Sequence, residues 1–185
     1  MVFRPARAAP SPPGPSAGAL EIVAGRGHDP PNDNDNPRGD DMTRTITVLG
    51  AANTGKSTLV DAMAALEGEP QPAAGPGELR VVGFDHLGDR WQAIDTPGSV
   101  EFLHLAADAL LAADVAVVCV APTPEGALLA APYLQVVEAA GTPALLFINR
   151  IDEAEGRVRD VVAALQDYVR HPILLRQIPI RADGH

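Results

Sequence analysis

The sequence predicts an α/β fold in which helices cover both faces of a mostly parallel sheet. Short apolar runs, such as TITVLG at 45–50 and DVAVVCVA at 114–121, have the composition of strands that are buried on both faces. These runs alternate along the chain with longer segments of helical pattern. A turn containing glycine follows the first run and opens the first helical segment. Together, the three observations predict a three-layer α/β domain.

The individual elements follow from hydrophobic periodicity and from the positions of turn residues. Helices are predicted at 56–66, 100–113, 126–140 and 155–170, the third of them interrupted at Pro132. Strands are predicted at 45–50, 78–84, 90–95, 114–121 and 143–149. The segment 67–77 contains many glycines and prolines and is predicted to be a loop. A short apolar piece, PILLRQIPI, occupies 172–180.

The composition of the chain changes abruptly near Met42. Residues 1–41 are rich in Pro, Gly, Asn and Asp, and such a segment cannot bury enough apolar surface to offset the entropy of ordering it. We therefore predict a disordered extension at 1–41, with a regulatory tail as the alternative. Residues 42–185 are predicted to form one domain, and Met42 is interpreted as its natural start.

Charge and hydropathy exclude several classes of function. The 185 residues carry a formal net charge of −10, so no basic field would hold bare nucleic acid. No uninterrupted apolar run reaches the ~18 residues that a membrane span needs. The single cysteine, Cys119, excludes an internal disulfide and fits a reducing compartment. These features favour a cytoplasmic protein that binds neither a membrane nor bare nucleic acid.

The first turn matches the phosphate-binding pattern G-x-x-x-x-G-K-[ST] at 50–57. Its glycines let successive backbone N–H groups point at a phosphate, and the helix N-terminus adds a positive end. Lys56 would supply a charge to the β- and γ-phosphates, and Ser57 would offer its hydroxyl to Mg²⁺. An ordinary strand–turn–helix connection is the structural alternative. The predicted nucleotide-binding residues here are Gly50, Asn53, Thr54, Gly55, Lys56, Ser57 and Thr58.

A second motif, DTPG at 95–98, follows the strand predicted at 90–95. Asp95 is predicted to hold Mg²⁺ through water, and together with Ser57 it completes the predicted metal site. Gly98 would bring its backbone N–H to the γ-phosphate. This four-residue match is weak by itself and gains weight from the other motifs.

A third motif, NRID at 149–152, indicates which base is bound. Asp152 can accept hydrogen bonds from N1–H and the 2-amino group of guanine, a pair of donors that adenine lacks. Asn149 would brace the neighbouring loops, and the stem of Arg150 could lie over the base. A helix N-cap is the alternative role for Asp152. Because all three motifs follow strands, at the edge where open α/β sheets bind ligands, the sequence predicts a site for GTP or GDP with Mg²⁺.

These motifs give the chain a family resemblance. The sequence between Asp95 and Asp152 resembles the GTP-binding domain of the translation factor GTPases, in particular elongation factor G and the bacterial elongation factor G-like proteins. The resemblance extends from about residue 45 to residue 180 and implies a P-loop G-domain fold and a partner in the ribosome. By position, it assigns phosphate and Mg²⁺ to Lys56 and Ser57, sensing of the γ-phosphate to Asp95 and Gly98, and guanine to Asn149 and Asp152.

Three departures from the family bear on catalysis and completeness. Ser99 stands where the family usually has the histidine that places the attacking water. No Ser or Thr occurs from Leu59 to Ile94, so the family's switch threonine has no counterpart. The chain ends at His185, before the family's last base-contacting loop, and we expect an incomplete G domain. The sequence therefore predicts weak GTP hydrolysis. The alternatives are a non-hydrolysing GTP-binding module and, against the NRID motif, an ATP-using P-loop enzyme such as a small kinase.

Other polar and aromatic residues are predicted to be structural. His86, with Asp85 and Asp89, could suggest a metal or acid–base site, but the two carboxylates flank a turn and are expected to solvate it. His104 is expected to occupy a packing or surface position. Trp91 is predicted to pack within a strand, and Cys119 to be a buried, inert thiol.

Overall fold

The computed structural model describes residues 43–67, 72, 75, 77–154 and 156–177. The extension predicted to be disordered, 1–41, and the end of the apolar piece at 178–180 lie outside these residues. Five strands are described: β1 Arg44–Leu49, β2 Arg80–His86, β3 Asp89–Asp95, β4 Val115–Val120 and β5 Ala144–Ile148. Four α-helices are described: α1 Lys56–Glu67, α2 Leu103–Leu110, α3 Pro124–Ala140 and α4 Val158–Gln166. Two 3-10 turns, Val100–Phe102 and Ile151–Glu153, precede α2 and α4.

The strands form one mostly parallel sheet in the order β2-β3-β1-β4-β5. β1 pairs in parallel with both β3 and β4, and β4 pairs in parallel with β5. Only β2, the hairpin partner of β3, runs antiparallel within the described sheet. The carboxyl ends of β1, β3, β4 and β5 therefore meet at one edge. The predicted α/β fold with a mostly parallel sheet is confirmed.

Two hydrophobic clusters fill the two faces of the sheet, because alternate strand residues point to opposite sides. One face packs Val48, Val117 and Cys119 against α1. The other packs Leu49, Val118 and Val120 against α2, α3 and α4. This arrangement gives the three layers that the sequence predicts. None of the described helices combines the length and the apolar character that crossing a membrane requires.

The predicted interruption of the third helix is wrong, since α3 runs through Pro132 from Pro124 to Ala140. Thr123 caps its start by accepting a hydrogen bond from Gly126 N at 3.0 Å. Proline leaves the carbonyl four residues earlier without its helical donor. That carbonyl belongs to Leu128, a residue on the exposed side of the helix with 60% of its surface exposed. Burial of the residues flanking Pro132, including Tyr133 and Leu134, keeps the helix continuous.

Two other helices are shorter than predicted. The segment predicted as a helix at 100–113 begins with a 3-10 turn, and α2 ends at Leu110. In the last helix, α4 covers Val158–Gln166 rather than 155–170. The described part of the apolar piece, 172–177, contains no strand or helix. Helix ends depend on capping and tertiary packing, which periodicity alone does not specify.

Candidate functional site

The loop 50–57 connects β1 to α1 at the carboxyl edge of the sheet. It curls through three residues of positive φ: Gly50 at 140°, Asn53 at 63° and Gly55 at 88°. The loop is closely packed, because a Cβ at Gly50 would collide with the carbonyl oxygen of Cys119 in β4. A loop of this shape, followed directly by a helix N-terminus, can direct several backbone N–H groups at an anion.

Lys56 is the first residue of α1 and is buried beneath this loop, with 6% of its surface exposed. Its Nζ donates a hydrogen bond to the carbonyl oxygen of Ala51 at 2.8 Å. Burial lowers the pKa of Lys56 below its usual value, and the nearby Cys119 and Asp95 oppose that effect. The ammonium group is therefore poorly solvated, and an anion bound over the loop would supply the charge that compensates it.

The segment 95–98 leaves β3 and lies against loop 50–57. Thr96 is tied to β1, since its backbone N and its Oγ1 both donate to Val48 O, at 3.1 and 3.0 Å. A Cβ at Gly98 would lie 2.7 Å from the backbone nitrogen of Ala52. Only a glycine allows the two loops to approach so closely. The structure thus brings Gly98 and Lys56 together, as the sequence predicts.

The segment 149–152 follows β5 and contacts the same loop from the other side. Asn149 Nδ2 donates to Thr54 O at 2.9 Å, and Asn149 Oδ1 accepts from Arg150 N at 2.9 Å. Arg150 adopts the left-handed conformation with φ 51° and is exposed. Asp152 is exposed within the turn Ile151–Glu153. Asn149 therefore braces loop 50–57, while Arg150 and Asp152 remain accessible to a ligand.

The remaining predicted residues of loop 50–57 differ in burial. Thr54 is buried, and its Oγ1 donates to Ala51 O at 2.8 Å, which closes the loop internally. Asn53, Ser57 and Thr58 are exposed. Their side chains can therefore reach a bound group, whereas Thr54 stabilises the shape of the loop.

Arg80, a residue that the sequence did not single out, is buried beside these loops. Its Nη2 lies 3.2 Å from Asp95 Oδ2, and its Nη1 lies 2.8 Å from Asp61 Oδ1 in α1. Nη2 also lies 3.4 Å from the carbonyl oxygen of Ser57. The strand register explains this contact, because Arg80 and Asp95 are paired across the β2–β3 hairpin. The only sequence signal for it is an arginine near the start of the strand predicted at 78–84, the first of the two strands that precede DTPG.

The two predicted metal ligands, Ser57 and Asp95, differ in whether they are available to a divalent cation. The exposed Ser57 at the first turn of α1 can present its hydroxyl to Mg²⁺, an ion that prefers oxygen ligands. Asp95 presents no accessible oxygen in this arrangement. Its Oδ2 is held by Arg80, and its Oδ1 is buried without a hydrogen-bond partner among the described residues. The loops are thus suited to bind phosphate, and the hydroxyl of Ser57 is suited to bind Mg²⁺. The carboxylate of Asp95 is not available to Mg²⁺ while it is paired with Arg80.

Ser99 lies directly after segment 95–98. Its Oγ donates to Glu101 Oε1 at 3.1 Å, and Glu101 is exposed in the turn Val100–Phe102. His104 is exposed on α2, in agreement with the predicted packing or surface position. The hydroxyl of Ser99 is thus engaged by a carboxylate on its own turn.

The residues predicted to be structural take part in ion pairs or in the packing of the core. Asp85 pairs with Arg90 at 3.7 Å, and Asp89 pairs with Arg44 at 3.1 Å. No group of three or more His, Cys, Asp or Glu side chains that could hold a metal ion occurs in the described ranges. Trp91 is buried and stacks on Phe84, with 6.4 Å between the ring centroids. Cys119 is buried, and burial raises the pKa of its thiol to about 12.

Similarity to known proteins identifies the family. The family model of the elongation factor Tu GTP binding domain matches residues 78–180, more than half of the chain. The chain belongs to this family of GTP-binding domains. The match begins after loop 50–57 and includes the 95–98 and 149–152 segments. The resemblance to the translation factor GTPases is therefore confirmed.

Individual members of the family are distant in sequence. An elongation factor G-like protein of Synechocystis sp. is 27% identical over 164 residues, covering 78% of this chain and 24% of the relative. Translation initiation factor IF-2 of Carboxydothermus hydrogenoformans is 27% identical over 124 residues, covering 66% of this chain and 15% of the relative. The chain thus spans about a quarter or less of these relatives.

One solved structure supports the fold. A crystal structure of a protein from Thermus thermophilus matches with a TM-score of 0.56 and 23% identity, covering 69% of this chain and 22% of that one. At this identity, the likeness concerns the three-layer architecture alone.

Proposed function

We propose that this chain binds GDP and GTP at the carboxyl edge of its sheet, as the G domain of an elongation factor G-like translation factor. The observation that carries the proposal is the convergence of three loops. Asn149 donates to Thr54 O at 2.9 Å, and Gly98 approaches the N-terminal half of loop 50–57. Membership in the GTP-binding family supports the choice of nucleotide.

Each loop has a separate role in this proposal. Loop 50–57 would surround the β- and γ-phosphates with backbone N–H groups, and Lys56 would pair with their charge. Gly98 would present its N–H to the γ-phosphate. The site residues of loop 50–57 are those predicted from sequence: Gly50, Asn53, Thr54, Gly55, Lys56, Ser57 and Thr58.

The base would lie against the segment 149–152. Asp152, which is exposed, would accept hydrogen bonds from N1–H and the 2-amino group of guanine. The aliphatic stem of Arg150 would cover one face of the base. Asn149 would hold this segment against Thr54, so that base and phosphates are bound at a fixed separation.

Mg²⁺ belongs to the same proposal, with Ser57 as the ligand that the chain offers directly. Bound with the nucleotide, the ion would neutralise phosphate charge. Asp95 could contribute only after release from Arg80, since its Oδ2 is paired and its Oδ1 is buried.

Hydrolysis is proposed to be weak. The family's histidine is replaced by Ser99, whose hydroxyl is bonded to Glu101. A missing water-positioning or acid–base group costs about 10²–10⁴ in rate. A non-hydrolysing GTP-binding module is the second candidate, favoured by this same contact and by the absence of Ser and Thr from Leu59 to Ile94. Single-turnover measurements with and without ribosomes separate the two, because only the GTPase releases phosphate.

The ribosome is the proposed partner. The named relatives are an elongation factor G-like protein and a translation initiation factor, and this chain spans only a part of them. The resemblance to the translation factor GTPases implies this partner, and we propose that the contact with the ribosome lies in domains that this chain does not cover.

Equilibrium binding of a fluorescent GDP analogue tests the proposal. The wild-type chain should bind, and Lys56→Ala should weaken binding at least about tenfold, because a charge-assisted hydrogen bond contributes about 1.5–3 kcal/mol. Arg159→Ala, which removes an exposed positive charge from α4, is the control and should bind as the wild type does. Equal binding by all three proteins, or binding by none, would overturn the proposal.

A further inference from the structure

The Arg80 guanidinium lies between the two elements that carry the predicted metal ligands. It contacts Asp95 at the end of β3, and it contacts Asp61 and the carbonyl oxygen of Ser57 in the first turns of α1. The side chains of Arg80 and Asp95 are each only 7% exposed, whereas that of Asp61 is 60% exposed. A permanent positive charge is thus fixed beside the carboxylate that Mg²⁺ would use.

The Arg80–Asp95 ion pair is buried, and the strand pairing of the sheet fixes the positions of its two residues. Arg80 and Asp95 are direct partners in the antiparallel β2–β3 register. Both retain a buried polar atom without a hydrogen-bond partner among the described residues, Nε of Arg80 and Oδ1 of Asp95. Breaking the pair would leave the buried carboxylate of Asp95 without its guanidinium partner, while Arg80 would keep only its contacts with the largely exposed Asp61 and with the carbonyl oxygen of Ser57, and a buried charge that loses its partner is strongly unfavourable. Mg²⁺ would therefore have to displace a guanidinium to reach Asp95.

We propose that Arg80 is the resident cation of this site and that it lets the chain bind a guanine nucleoside diphosphate without Mg²⁺. Asp95 is neutralised from within the protein, so the site does not need a divalent ion to offset that carboxylate near the phosphates. Arg80 is a positioning residue in this account, because it acts through Asp95 and the first turn of α1. The inference rests on the proposed nucleotide binding.

The metal dependence of GDP binding tests the inference. The dissociation constant of a fluorescent GDP analogue would be measured with excess Mg²⁺ and with EDTA, on the wild-type chain and on Arg80→Gln. The wild type should change by less than about threefold, and Arg80→Gln should bind at least about tenfold more weakly in EDTA than in Mg²⁺. The control is Arg90→Gln, whose arginine pairs with Asp85 on the exposed part of the same hairpin. It should behave as the wild type does.

Direct metal binding gives a second readout. Mn²⁺ would be titrated into the GDP-saturated proteins and followed by electron paramagnetic resonance. Arg80→Gln should bind Mn²⁺ at least about tenfold more tightly than the wild type, because Asp95 is then free to approach the ion. Arg80→Lys keeps a cation and should retain binding in EDTA.

The outcomes separate the inference from the proposed function. Loss of GDP from the wild-type chain in EDTA would overturn the role of Arg80 and leave the nucleotide site standing. Insensitivity of Arg80→Gln to EDTA would do the same. Absence of GDP binding under every condition would remove the proposed function and the inference with it. If thermal unfolding shows that Arg80→Gln does not fold, the measurements on the wild type and on Arg80→Lys still test the inference.

Discussion

The hydroxyl of Tyr133 donates a hydrogen bond to the carbonyl oxygen of Gly98 at 2.8 Å. Tyr133 lies in the middle of α3 and is fully buried, and burial raises the pKa of its hydroxyl. Gly98 ends the loop that lies against Lys56. One buried phenol thus ties the helix layer to the segment proposed to meet the γ-phosphate.

Removal of this hydroxyl should loosen the segment. In Tyr133→Phe, the Gly98 carbonyl loses its donor, and the free energy of unfolding should fall by about 0.5–1.5 kcal/mol. Nucleotide affinity should fall as well. Tyr168→Phe alters a half-buried tyrosine of the same face and is the matched control. Urea unfolding measures both variants, and equal losses would contradict a special role for Tyr133.

Lys56 illustrates a conflict between stability and binding. Burial lowers its pKa, so the charged form is less favourable in the folded, nucleotide-free protein than it is in water. Lys56→Met should therefore raise the thermal midpoint of the nucleotide-free chain while weakening GDP binding at least about tenfold.

Lys56 is the only lysine in the sequence, so a ¹⁵N-lysine-labelled protein gives one side-chain signal for a direct titration of its pKa. A pKa of Lys56 above about 10.4, the usual lysine value, in this titration would contradict the expected effect of burial.

Two glycines of similar conformation should respond differently to alanine. Gly55 has φ 88° and Gly88 has φ 83°, so both substitutions strain the backbone. A Cβ at Gly55 would also collide with Asn149 Nδ2, whereas a Cβ at Gly88 meets nothing within 4 Å. Gly88→Ala should cost about 1–2 kcal/mol of stability and preserve GDP binding. Gly55→Ala should cost more and abolish binding, and retention of full affinity would contradict the packing of Asn149 on this loop.

Cys119 predicts a pH dependence of stability. Its pKa rises from 9.0 to about 12 on folding, so the unfolded chain loses this proton first as the pH increases. The contribution of the protonated, buried Cys119 to the free energy of unfolding is present in full below pH 9 and is lost as the pH rises toward 12. Between pH 8.5 and 10.5, it should fall by about 2 kcal/mol. Comparison of the wild type with Cys119→Ala by urea unfolding isolates this term, and a difference that does not change with pH would contradict it.

The fold was predictable because buried parallel strands are recognisable from short apolar runs, as at β4. The ends and interruptions of helices were less predictable, since α3 continues through Pro132, where local propensity predicts a break. The loops around Lys56 and Asn149 were predictable from spacing, because motifs that follow parallel strands meet at one edge. The Arg80–Asp95 pair was not, because it depends on the register of a hairpin that residue spacing does not fix.

Competition between GDP and ADP for the wild-type chain tests the central claim most directly. A guanine-reading Asp152 would be left unpaired by adenine, so GDP should outcompete ADP by at least about 100-fold. Asp152→Asn should shift the preference toward xanthine nucleotides, while Asp160→Asn, on the exposed part of α4, should leave the preference unchanged. Equal displacement of a bound fluorescent nucleotide by GDP and ADP would contradict the assignment of this chain as a guanine-nucleotide-binding domain.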